Sequence, residues 1–140
     1  FPFVSDVSYT DIGDLTTART QTMGASSATD GYVMGGRPQY PPFAIFLNMI
    51  DRFPFATDTN AVDYGDLVTS PASSPSMTAG RHSGASGSSA THGYVIGGYK
   101  ELAADTVVDQ IQKFQFTSSG SATDVANLTK INALQSGAQG

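Results

Sequence analysis

The chain has no cysteine, no tryptophan, a single glutamate and only seven Lys and Arg in 140 residues. Each shortage excludes something. Without cysteine there is no disulfide, no thiolate nucleophile and no Cys-ligated zinc, although the compartment stays open. Glu favours helices and Asp favours turns, so eleven Asp against one Glu argues against a helical bundle or coiled coil. A net charge of −5 gives no attraction to nucleic-acid phosphates or anionic membranes. The longest apolar stretch, Phe43 to Ile50, is broken by Asn48 and falls far short of the roughly 20 residues of a membrane helix. No nucleic-acid partner and no membrane insertion are expected.

What remains is a turn-rich chain. Ser and Thr number 31, Gly and Pro 22, and Leu, Ile, Val and Phe together only 29, close to the level at which chains stay disordered. Such a composition fits short strands joined by polar turns. The length suits one ordinary domain. Phe1 is not an initiator Met and no signal-peptide pattern follows it, so a fragment or processed product is expected.

An internal duplication is the main signal. Residues 1–18 align without gaps on 53–70 with nine identities, among them Phe-Pro-Phe and Asp-x-Gly-Asp-Leu. Residues 19–36 align on 81–98 with ten more, including Ser-Ser-Ala-Thr and Gly-Tyr-Val-x-Gly-Gly. The second copy differs by a ten-residue insertion, Pro71 to Gly80. A third copy opens at Phe114-x-Phe116 and keeps Ala122, Asp124 and Leu128 in step with Ala61, Asp63 and Leu67. Copies beginning at residues 1, 53 and 114 suit a propeller blade better than a solenoid coil.

One period reads as four strands separated by turn residues. The first runs from Arg19 to about Ala25, and from Arg81 to about Ala85. The second is Gly31 to Met34, repeated as Gly93 to Ile96. The third centres on Ile50 to Phe55 and on Ile111 to Phe116, and Pro54 places its end near a blade edge or bulge. The fourth surrounds Asp63 to Leu67. Glu101 to Gln112 could be helix or strand; strand is favoured, since its counterpart before Phe53 holds two prolines. The fold class expected is all-β, built of four-stranded antiparallel blades.

Little of this reads as catalytic chemistry. Asp11/Asp14 and Asp63/Asp66 could be a cation site or an acid/base pair, but a cation loop needs three or more clustered oxygen ligands. A tight turn is the expected role, with Gly13 and Gly65 permitting positive φ. His82 and His92 have no histidine counterpart in the other copy, which argues for structural or surface roles over metal binding. No Gly-x-Ser-x-Gly elbow, Walker pattern or dinucleotide fingerprint is present. Asn127-Leu128-Thr129 is formally a glycosylation sequon, meaningful only in a secreted eukaryotic protein. No catalytic residue, metal or cofactor is expected.

The repeated Phe53, Phe55 and Tyr94, with their copies Phe1, Phe3, Phe114, Phe116 and Tyr32, are expected to pack between blades. The repeat-forming Asp11, Gly13, Asp14, Leu15, Gly35, Gly36, Asp63, Gly65, Asp66, Leu67, Gly97 and Gly98 are expected to serve the structure of the repeat, in turns and strand ends. The connectors after each Gly-Gly vary, and variable loops on a repeated scaffold are where recognition sits. Arg37, Tyr40 and Tyr99 in those connectors are the candidate contacts for a glycan or partner protein.

A hydrophobic run closed by Gly-Gly, as in Tyr32-Val33-Met34-Gly35-Gly36 and Tyr94-Val95-Ile96-Gly97-Gly98, resembles the kelch repeat, in which Gly-Gly ends the second strand of a propeller blade. The Trp of kelch blades has no counterpart here. A closer resemblance is to a repeat of bacteriophage tail-fibre and appendage proteins, especially of marine phages and cyanophages; Arg52 to Ala56, Asn60 to Leu67, Arg81 and Ser88 to Gly98 carry nearly all its elements. This resemblance implies a kelch-like β-propeller, here a partial ring of about two and a half blades. Residues 1–18 would end one blade, 19–70 form a second, 71–80 an inserted loop, 81–130 a third, and 131–140 would begin another. It implies a non-enzymatic structural or adhesion component of a virion, partnered by other tail subunits, copies of itself or a host-surface glycan. The alternative is a bacterial extracellular propeller acting as a lectin or glycan-active enzyme.

Overall fold

The computed structural model describes residues 10–38, 46–68, 80–100, 106–130 and 138–139. Phe1, Phe3, Tyr40, nearly all of the 71–80 insertion and most of 131–140 lie outside the described residues. The regular elements described are all strands. From the first full copy come β1 (Arg19–Thr20), β2 (Met23–Ser26), β3 (Asp30–Met34), β4 (Arg37–Pro38), β5 (Met49–Pro54) and β6 (Val62–Asp66). The second supplies β7 (Arg81–His82), β8 (Ala85–Ser88), β9 (His92–Ile96), β10 (Tyr99–Lys100), β11 (Thr106–Val107), β12 (Gln110–Gln115) and β13 (Thr123–Asn127), and β14 (Ala138–Gln139) follows.

Two sheets of the same plan result. The first is β2-β3-β5-β6, antiparallel throughout; the second is β8-β9-β12-β13 in the same order, with β14 added parallel to β8. Local chemistry makes the hairpins. The Ser27 hydroxyl accepts the N–H groups of Thr29 and Asp30 at 3.2 and 2.9 Å, and Ser89 does the same for Thr91 and His92 at 3.4 and 3.1 Å. These are the Ser/Thr turns that the repeated Ser-Ser-Ala-Thr implies. At the far end, Gly35-Gly36 (φ 59° and 105°) and Gly97-Gly98 (φ 61° and 97°) turn the chain out of the sheet in a region that glycine tolerates.

Two expectations change. The first strand is not continuous, because Gln21 and Ser83 adopt φ of 56° and 53° and break it. Arg19–Thr20 and Arg81–His82 therefore leave the main sheets and pair with β4 and β10. The fourth strand expected around Asp63 to Leu67 is β6, so Asp63-Tyr64-Gly65-Asp66 is paired strand and does not form the tight turn expected of its acids. Ile50 pairs with Gly65 and Asp51 with Asp63, so Tyr64 is the extra residue of a β-bulge and turns into the core. Only in the earlier copy does the motif behave locally, with Asp11 accepting the Gly13 N–H at 3.1 Å. Ile50 and Asp51 are both fully buried. Pro54 ends β5 beyond the last residue that pairs with β6, so its missing N–H costs no ladder bond.

The core lies where the sheets meet. Tyr32 and Tyr64 of the first sheet pack against Phe114 and Phe116 of the second, with Tyr32 stacked on Phe116 at 4.8 Å and edge-on to Phe114 at 5.3 Å. The Tyr64 hydroxyl donates to the Gln115 carbonyl at 3.0 Å. Within each sheet one aromatic covers a glycine of the neighbouring strand: Phe53 over Gly31 and Phe114 over Gly93, where a Cβ would fall inside the ring. Phe114 is pinned by Tyr32 and Phe116, whereas Phe53 is half-buried and can swing out. Gly93→Ala is therefore expected to cost about 1–3 kcal/mol, the range for overpacking, and Gly31→Ala clearly less. Urea denaturation of the two variants, compared with the parent protein, measures the difference.

Candidate functional site

The described structure concentrates its polar chemistry at the junction between the sheets, and there each residue meets its own counterpart. Ser86 Oγ accepts the Gly24 N–H at 3.3 Å and Ser88 Oγ accepts that of Ser26 at 2.9 Å. The Ser83 N–H donates to the Gln21 carbonyl at 3.1 Å. Gln21, Gly24 and Ser26 align with Ser83, Ser86 and Ser88 in the duplication. Strand β14 continues the series. Ala138 lies ten residues after Leu128, as Ala25 lies ten after Leu15, and it pairs in parallel with Gly87, the counterpart of Ala25. First strands of successive copies thus lie side by side in the same direction and in register.

A second link joins the end of one copy to the third strand of the next. Asp51 accepts from the Thr16 N–H at 2.9 Å, from the Thr16 hydroxyl at 2.7 Å and from Arg19 Nη2 at 2.9 Å, with both ionic side chains fully buried. One copy later the position is Gln112. Its amide accepts the Val68 N–H at 3.0 Å and donates to the Val68 carbonyl at 2.8 Å. Val68 stands where Thr16 stood and has no hydroxyl to offer. Arg81, the counterpart of Arg19, finds no carboxylate there and donates to the Gln110 amide oxygen and the Gly97 carbonyl. Burial lowers the Arg81 guanidinium to about 10, so it stays charged at neutral pH. Burial likewise lowers Arg19, and the charges of Asp51 and Asp63 oppose that shift.

The connector candidates are drawn into packing. Arg37 lies over the Phe46 ring at 5.6 Å, Phe46 contacts His82 at 4.3 Å, and His82 stacks on Tyr99 at 5.3 Å. Arg37 and Tyr99, at equivalent positions, therefore end one stacked row whose centre, Phe46 and His82, is buried. Tyr40 lies outside the described residues. The row escaped the sequence reading because Phe46 sits in an unrepeated connector; the repeat offers no signal for it. Among the described residues no three His, Asp or Glu gather as a metal site, and no helix is long and apolar enough to cross a membrane.

Among the described residues are two cavities open to solvent. One of about 210 Å³ is apolar, lying between Ile12 to Leu15 and Phe53. The other, of about 230 Å³, is polar and lies on the second sheet around His92, Lys113 and the 118–121 loop. No family model matches the chain, and no curated protein matches it in sequence.

Two measurable consequences follow from the junction. Asp51→Ala leaves Arg19 buried without its counter-charge and is expected to cost about 3–5 kcal/mol, whereas replacing both residues by apolar ones of similar volume costs far less. Equilibrium unfolding in urea reports both. Burial pushes the Tyr32 phenol up to about 12, from an ordinary value near 10. The unfolded chain then loses this proton first, so the Tyr32 contribution is complete below pH 10 and is lost as pH rises through 12. In an absorbance titration of phenolate, Tyr32→Phe should remove the most alkaline component and leave the earlier ones.

Proposed function

We propose that the chain is part of a kelch-like β-propeller array with a non-enzymatic structural and adhesive role in a phage virion appendage such as a tail fibre. In this reading it joins neighbouring subunits or copies of itself and presents its variable surfaces to a host-surface glycan. The observation that carries the reading is the counterpart contact. Four-stranded antiparallel sheets whose first strands lie parallel and in register are what successive propeller blades require.

Exposure of the same repeat positions away from the internal junction fits the packing of a further copy there. At the internal junction Tyr64 is 6% exposed, but Ile12 and Val125, which hold the same repeat position, are 47% and 46% exposed. Phe55, the counterpart of the stacked Phe116, is 55% exposed. A further copy of the repeat, in the same or another chain, would cover surfaces of this kind. The recurring aromatics and the Asp51/Gln112 position serve packing, which motivates the non-enzymatic assignment.

The test combines assembly and adhesion. The intact polypeptide should form annular or higher-order particles by native mass spectrometry and electron microscopy, and should adsorb to a bacterial surface that loses binding when its glycans are stripped. A monomeric protein that releases reducing sugar from glycans would overturn the reading.

A further inference from the structure

The two sheets share a backbone plan but differ in charge at one place. In the first sheet Arg52 on β5 lies beside Asp30 on β3, 3.9 Å apart, with Asp58 in the loop that follows β5. The counterparts in the second sheet are Lys113, His92 and Ser119. One cation with two acids has become a lysine and a histidine with none. The hydrogen bond from the Thr29 hydroxyl to Asp30, 2.6 Å, survives between Thr91 Oγ1 and His92 Nδ1 at 2.8 Å. When Thr91 donates as Thr29 does, the imidazole keeps its proton on Nε2 and remains a donor even when neutral.

This altered pair lines the polar cavity of about 230 Å³. Ser119 and Ser121 add exposed hydroxyls to its rim. Lys113 makes no ion pair among the described residues. Asp124 follows Thr123 on β13, and successive strand residues point to opposite faces, so the cavity is lined by Thr123 and not by that acid. At physiological ionic strength charges more than about 8 Å away are largely screened, so this local set outweighs the net charge of −5.

We propose that the cavity on the second sheet binds the sulfate or carboxylate group of an acidic saccharide. The Lys113 ammonium and the His92 imidazole hold the anion, and Ser119 and Ser121 bond to sugar hydroxyls. The saccharide part rests on the adhesive reading above; the anion part stands on the cavity alone.

The experiment titrates the full chain with inorganic sulfate, a sulfated oligosaccharide, a carboxylated one and the neutral parent oligosaccharide, observed by NMR at His92, Lys113, Ser119 and Ser121. One or both acidic saccharides should bind at least about tenfold tighter than the neutral one, as one charge-assisted contact implies. Whichever binds tighter identifies the anion. Lys113→Ala should weaken binding by a similar factor, His92→Asp should abolish it by restoring the pairing of the first sheet, and Arg52→Ala should leave it unchanged. Equal binding of the neutral sugar, or equal effects of Lys113→Ala and Arg52→Ala, overturns the site. Inorganic sulfate binding as tightly as the saccharides overturns the saccharide assignment. Failure of the protein to adsorb to cells while these NMR shifts persist would count against the adhesive role and not against the anion site.

Discussion

One buried side chain in the third strand ties each copy of the repeat to the one before it. At Asp51 it is a carboxylate that gathers Thr16 and Arg19; at Gln112 it is an amide that closes two hydrogen bonds on Val68. Chemistry changes, but the constraint does not. The strand that carries this residue also carries the aromatic pair, Phe53/Phe55 or Phe114/Phe116. Fixing the residue therefore fixes where the rings lie against the preceding sheet. The internal aromatic cluster, the buried bulge at Tyr64 and the approach of Gly65 to the backbone of Gly120 all follow from that placement. The two solutions differ in cost. An ion pair in the interior must recover the desolvation of two charges, whereas the amide recovers only that of a neutral group.

The charge comparison between copies carries a second lesson. Duplicated sequences supply an internal control, because a substitution at one copy can be read against an unchanged scaffold at the other. The exchange of Asp51 for Gln112 is absorbed by its neighbours, since Arg81 redirects to Gln110 and Gly97. The exchange of Asp30 for His92 is not absorbed in the same way. It leaves Lys113 beside an open polar cavity, which is why that place and not the buried clip directs attention to a ligand.

Much of the architecture was legible in the sequence because the repeat is strong. Ser-Ser-Ala-Thr and Gly-Gly announce their turns through local chemistry, and the third strand is marked by the alternating pair Phe53/Phe55, repeated at Phe114/Phe116. The break at Gln21 and Ser83 was not legible, because neither residue type favours positive φ; that conformation is imposed from outside, where the two residues bond to each other across copies. The bulge inside the fourth strand was hidden. Asp and Gly read as turn formers, and only the close packing of the next copy against Gly65 makes glycine useful within a strand. The Arg37–Phe46–His82–Tyr99 row depends on tertiary contact between two connectors, one of them unrepeated, and no local pattern encodes it.

The hydroxyl bridges from Ser86 and Ser88 to the N–H groups of Gly24 and Ser26 have a consequence for how such a gene can change. Each bridge joins a position to the same position one period away, and at Ser26/Ser88 both copies carry serine, so gaining or losing a whole period recreates that bridge at the new junction. Gain or loss of a fractional period would set unlike residues against each other. Recombination between the copies can therefore vary the length of the protein in whole steps without a compensating mutation, and the seam itself filters out the out-of-phase products.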